Sequence, residues 1–402
     1  MKVLYLGVGD PVLSRSGMDR VVKVHLCELG AAKDFSVDAV VVVPGEGVGT
    51  VEGVFPFENA KVKIFVGDLK RESRPVARAL DKLKLVLSKA VPVTAYAFKS
   101  ERAQIYIKDR LQYGGYDLVV LDHFYALANV RFKDLLKFGG GRIYISHDSM
   151  GGLLSCVRQS EGNLFKKLYT QVEMVRAKLI EAKLFSSSSV VVHLSSYECE
   201  QARMNGGNHI SLLPSIPTTP TIAGEIEQFG DLSKLVVFIG ATTYFPNAEA
   251  IAWLVGKLAP AMLKRSPHLK IALIGAGTDK LNLPVNVIGC GFLADEHVKH
   301  VLGRCLCTIS PVVYGHGIKV KVLESIAAGC PVLATPESLR GLGGFGLDSM
   351  VDVNSPDLTA LNIQKLSDSP NSRDAIRLDI LSSWGYFCET RRGMLNQVLR
   401  DA

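Results

Sequence analysis

SPVVYGHGIKVKVLESIAAGCPVLATPESLRGL, residues 310–342, opens on a loop rich in Gly and Pro (Pro311, Gly315, Gly317). A helix of about three turns follows, stopped by Gly329, and the apolar run 331–335 closes the stretch. Gly317 leaves the helix N-terminus open, so unpaired backbone amides there can hold an anion. At roughly 100° per residue, Gly317, Lys321, Glu324, Ser325 and Ala328 share one narrow face. Ile318, Val320, Val322, Leu323, Ile326 and Ala327 cover the rest, which predicts a helix buried nearly all round. A cation and a carboxylate on such a helix need a reason. Either Lys321 and Glu324, three residues apart, pair with each other, or each meets a ligand: Lys321 and the helix amides a diphosphate, Glu324 two sugar hydroxyls.

The run G-x-G-I-K-x-K-V-L-E-x-x-A-A-G-x-P-V-x-A-T, from Gly315 to Thr335, resembles the nucleotide-sugar site of retaining glycosyltransferases of family 4. The resemblance implies a GT-B fold: two Rossmann-like parallel-sheet domains facing across a cleft. It also implies that Glu324 binds the ribose of the nucleotide. The common family pattern has a second Glu where this chain has His316, and a subgroup with G-x-G-x-x-x-K-x-x-E lacks it as well.

Outward from this motif, short β-rich runs alternate with helical segments. Strands are expected at 2–7, 37–43, 61–66, 117–121, 142–146 and 190–194, then at 235–240, 269–275, 285–289, 305–310 and 331–335. Continuous apolar strands separated by helices argue for parallel sheets covered on both faces. The proline-rich stretch LPSIPTTPTIAG breaks the rhythm, so a linker is placed at 214–224 between domains 1–213 and 225–383. The final helical stretch, 384–402, is expected to cross back onto the first domain, as in the resembled fold.

Strand ends in such sheets are where ligands bind. Gly17 opens the first helix, where the resemblance brings backbone amides to the donor diphosphate; a plain tight turn is the alternative. His123 follows the strand DLVVLD, and His147 with Asp148 follows RIYIS. The resemblance sets His123 near the reacting sugar and acceptor and His147 at the cleft border. Gly240, Thr243 and Asn247 form a polar turn between a strand and a helix capped near Asn247. The Arg and Lys of the broad family are missing from this turn, so Lys319 or Lys321 is expected to carry their charge, beside Ile318 and Gly317. Phe292 either borders a nucleobase or anchors the core.

The 402 residues suggest two or three domains, and 48% apolar with 21% charged residues is ordinary for a globular protein. No apolar run reaches the ~20 residues of a membrane span. MKVLYLGVGDP reads as a first strand and not as a signal peptide, so a cytoplasmic location is expected. The net charge of +7 comes without a nucleic-acid motif, so no nucleic-acid partner is expected. In 74–89, Arg74, Arg78 and Lys82 lie opposite Val76, Leu80, Leu83 and Leu87, a solvated face or a peripheral contact with the inner face of the membrane. The eight Cys show no zinc spacing, and Cys305 and Cys307 are expected to point to one face as core thiols.

No cofactor and no metal are expected, the nucleoside-diphosphate sugar being a co-substrate. No D-x-D occurs, and the glycine fingerprints of an NAD site fail at Val12 and in IGAGTDK. The resemblance implies transfer of a hexose-type sugar to a glycan, lipid-linked or small-molecule hydroxyl, with retention. A nucleotide-sugar epimerase and a non-catalytic binding protein are the alternatives.

Overall fold

The computed structural model describes residues 1–12, 16–32, 34–44, 53–57, 60–68, 93–204, 206–216, 229–342, 345, 347 and 350–402. The expected basic helix at 74–89 and most of the expected linker lie outside these residues. The chain divides into two compact units, one of residues 1–215 with 391–402 and one of residues 216–390.

The first unit is built on β1 (Lys2–Val8), β2 (Ser36–Val43), β3 (Gly53–Phe57), β4 (Ala60–Val66), β5 (Leu118–Asp122), β6 (Gly141–Ser146), β7 (Val190–His193) and β8 (His209–Ser211). They form one sheet in the order β3-β4-β2-β1-β5-β6-β7-β8. Every pairing is parallel except β3 with β4. Its helices are α1 (Gly17–Ala31), α2 (Glu101–Tyr113), α3 (Phe132–Lys137), α4 (Met150–Ser160), α5 (Leu164–Ser187) and α6 (Ser196–Arg203).

The second unit carries β9 (Leu235–Ile239), β10 (Lys270–Ile274), β11 (Val287–Gly291), β12 (Cys307–Ser310) and β13 (Val332–Ala334), all parallel, in the order β11-β10-β9-β12-β13. Around it lie α7 (Phe245–Trp253), α8 (Ala259–Arg265), α9 (Asp295–Leu302), α10 (Val320–Ala327), α11 (Pro336–Leu339), α12 (Pro356–Asp368) and α13 (Pro370–Asp401). The last helix passes from the second unit to the first at Arg391.

Covering both faces of the sheet is what makes the strands apolar without interruption. Along β9, Val236 and Phe238 enter one core with Leu254, Leu258 and Ile309. Leu235 and Val237 enter the other with Val298, Val301 and Ile274. Cys305 and Cys307 correct one expectation. Both are fully buried, but Cys305 belongs to the second of these cores, with Cys330, and Cys307 to the first. The strand begins only at Cys307, so its two-residue alternation does not reach back to Cys305.

Candidate functional site

Two left-handed glycines, Gly315 (φ 128°) and Gly317 (φ 66°), turn the chain from β12 into α10. Lys319 is the extended N-cap residue, so the helix holds eight residues and falls short of the three turns expected; Gly317 stays outside it. Val322, Leu323, Ser325, Ile326 and Ala327 are buried. Lys321, Glu324 and Ala328, spaced by three and four, are half-buried along the remaining face.

The Lys321 ammonium donates to Asn247 Oδ1 at 2.7 Å and lies 4.3 Å from the centre of the Phe238 ring. Both partners are neutral. Burial, helped by the charge of Lys319, pulls its pKa down from the usual lysine range to about 7. Lys319 itself is engaged differently: its ammonium donates to Gly317 O at 3.2 Å and to Glu337 Oε1 at 3.4 Å. Arg340 meets the same carboxylate oxygen at 2.9 Å and donates to Gly315 O at 2.5 Å. Glu337 and Arg340 thus fix the glycine loop, and among the described residues Lys321 is left without a carboxylate.

Asn247 is held for its task from the opposite side. The helix α7 is capped by Tyr244, so Asn247 sits in its first turn and not at the cap, and its Nδ2 donates to Ala241 O at 3.2 Å. A Cβ on Gly240 would fall 2.6 Å from the Asn247 side-chain amide carbon, so the β9–α7 turn needs glycine there. Two amides of this turn are spent within the fold, Gly240 N on Ile274 O and Thr242 N on Ala276 O. Thr243 and Phe292 are exposed, and His316 and Ile318 half-buried.

In the first unit the centre is Asp122, fully buried at the end of β5. Its carboxylate accepts from Tyr5 Oη, meets His25 Nδ1 at 2.7 Å and meets His147 Nε2 at 2.5 Å. Burial alone would raise the Asp122 pKa, but the two imidazoles hold it well below the carboxylate range. Burial raises the Tyr5 phenol, and the carboxylate raises it further. His123 leaves the strand with φ 75°, its ring 4.7 Å from that of His147, and its Nδ1 accepts from Tyr125 N at 3.1 Å. Burial and the neighbouring His147 keep His123 neutral, well below the usual imidazole pKa. Asp148 is half-buried before α4. Gly17 is the first residue of α1, behind a capping box in which Ser16 Oγ accepts from Asp19 N and Asp19 Oδ2 from Ser16 N.

His25 and Tyr5 escape a reading of the sequence. The one signal for His25 is a polar ring on the buried face of α1, among Val21, Val22, Leu26 and Leu29. Single ligand atoms of His25, Asp122 and His147 lie within 4.8 Å of one another, a spacing that suits a metal ion. Three distant segments supply them, so no sequence spacing reveals the group.

Residues 233–368 match the family model described as Glycosyl transferases group 1. A Klebsiella pneumoniae protein, "Uncharacterized 44.6 kDa protein in cps region", is 23% identical over 233 residues, 55% of this chain and 58% of that one. The match thus spans less than two thirds of this relative. Among solved structures, sucrose-phosphate synthase from Thermosynechococcus elongatus has a TM-score of 0.67 at 15% identity, covering 100% of this chain and 98% of its own. An E. coli structure described as trehalose-6-phosphate bound with UDP-2-fluoro glucose gives 0.64 at 10%, covering 100% and 99%. Anabaena HepE in complex with UDP gives 0.58 at 14%, covering 100% of each chain. The chain therefore has a GT-B type fold, and its residues 233–368 are similar to the glycosyl transferases group 1 family.

Proposed function

We propose that the protein moves a hexose-type sugar from a nucleoside diphosphate to a hydroxyl acceptor, with retention and without a metal. The observation that carries this reading is Lys321, a desolvated cation whose partners, Asn247 and Phe238, carry no charge. A buried charge without a counter-charge is costly, and a diphosphate supplies that counter-charge. Breaking the bond between the anomeric carbon and phosphate builds negative charge on the departing diphosphate. Lys321 and the amides at the start of α10 are assigned to stabilise it, which would lower the barrier where charge develops. Glu324, one turn along on the same face, is assigned to the ribose hydroxyls. His123, neutral and buried in the first unit, is assigned to the reacting sugar and its acceptor. The family match over residues 233–368, and a solved neighbour bound with UDP, support a nucleotide-sugar donor.

The test is a panel of UDP, GDP, dTDP and ADP sugars incubated with the protein while nucleoside diphosphate release is followed, with a thermal-shift screen of the free diphosphates. One diphosphate should raise Tm in proportion to ln(1+[L]/Kd), and its sugar should be turned over. Glu324→Ala should abolish the shift, whereas His123→Ala should keep it and lose turnover. Hydride transfer in place of diphosphate release, or equal loss of binding in both variants, would overturn the assignment.

A further inference from the structure

Helix α5 turns an apolar face to solvent. Its inner side, Thr170, Glu173, Ala177, Glu181 and Leu184, is buried. On the other side Leu164, Phe165, Leu168, Val172, Val175 and Leu179 are exposed by 43% to 82%. From Phe165 onward they are spaced three, four, three and four apart, so they line one stripe of about 100°. A soluble surface rarely keeps such a contiguous row without a partner.

The charges along the helix say which partner. Glu173 is buried against Arg176 at 2.5 Å, and Glu181 is buried accepting the amides of Met150 and Gly151. Its exposed charged residues are Lys166, Lys178 and Lys183, and of these Lys166 has Glu161 at 3.7 Å. The rim of the stripe is therefore cationic. In a parallel pair of α5 helices the stripe would be the seam, and Lys178 of one copy would oppose Lys183 of the other, a repulsive arrangement. An anionic lipid surface matches both features: acyl chains take the apolar row and headgroup phosphates take the lysines. We propose that α5 is a membrane-surface helix that seats the protein on an anionic bilayer, with Phe165, Leu168 and Leu179 inserted at the headgroup boundary.

The full chain is floated with vesicles of phosphatidylcholine alone and with vesicles containing phosphatidylglycerol. It should float with the second and not the first, and less of it should float as salt is raised. The double variant Phe165→Asp with Leu168→Asp should keep its Tm, since both side chains are exposed, and lose at least about tenfold in partitioning. The charge variant Lys178→Glu with Lys183→Glu should also weaken binding while leaving the apolar row intact. No flotation, equal flotation with neutral vesicles, or variants that bind as well as the parent would each overturn the proposal. So would a dimer in sedimentation that the aspartate variant dissolves, because a second copy would then own the stripe. The readout needs no substrate, so its failure leaves the sugar-transfer reading standing.

Discussion

Lys321 is half-buried, with its ammonium against Asn247 and the Phe238 ring, and its pKa near 7 turns that placement into a measurable linkage. In the free protein the group is largely neutral above pH 7. A bound diphosphate favours the charged form and draws a proton onto it. Affinity for the diphosphate should therefore fall as pH rises above about 7. Calorimetry at pH 8 in buffers of different ionisation heat should show proton uptake on binding, and Lys321→Met should remove it. Equal uptake in the variant would place the titrating group elsewhere. Asp122 carries a different load, since one carboxylate receives Tyr5, His25 and His147 in the core. Asp122→Asn substitutes a donor for one acceptor and removes the charge that the imidazoles face. A loss of about 3 kcal/mol is expected from breaking a buried charged network, read as a lower denaturant midpoint. His123 is also reorientated through His147, so turnover should fall even at temperatures where the variant stays folded.

At the scale of elements, α4 starts on a buried carboxyl. Glu181 of α5 accepts the amides of Met150 at 2.7 Å and Gly151 at 3.2 Å, and burial raises its pKa to about 7. A carboxyl whose folded pKa exceeds its unfolded value gives stability that is fully present below the unfolded value, near 4.5, and is lost as pH rises through about 7. Denaturant melts of the parent should thus lose about 3 kcal/mol over that window, and Glu181→Gln should flatten this part of the profile. The β9–α7 turn offers a second test. Gly240→Ala pushes a methyl against Asn247 and so displaces the oxygen that receives Lys321; diphosphate affinity should drop severalfold, with a lower Tm as the turn shifts to relieve the contact. Such elements were legible to unequal degrees. Periodicity is local, and the eleven strands read from it all exist within a residue or two of their expected ends. Among the described residues, the two strands it missed are β3, which carries Pro56 on an antiparallel edge, and β8, of three residues. The α10 face was equally visible in the spacing of Lys321 and Glu324. Its partners were not, because Asn247 and Phe238 come from other segments, and spacing along one helix carries no record of what packs against it.

For the molecule as a whole, the last helix is the point where one continuous element serves both units. Trp384 and Phe387 pack with Phe345 in the second unit, their ring centres 5.0–5.8 Å apart. From Arg391 onward the same helix belongs to the first unit. There Arg391, 2% exposed, ion-pairs with Glu28 of α1 and donates to Leu213 O, while Glu28 also accepts from Ser215 Oγ. Leu399 is buried and lines, with Leu395, Val398, Leu29 and Val120, a small apolar hollow beside His25. Removing residues 391–402 strips these partners from the first unit and leaves the aromatic cluster of the second untouched. Arg391→Ala is the milder form: it leaves Glu28 half-buried without its cation, at a cost of about 3 kcal/mol. In calorimetry either change should lower the melting of the first unit alone, so that a single transition splits into two or an early one moves further down. The fragment 216–390 should melt with the later transition. If both transitions moved together, the stability of each unit would depend on the other, and the helix would be a shared strut in place of a segment divided at Arg391.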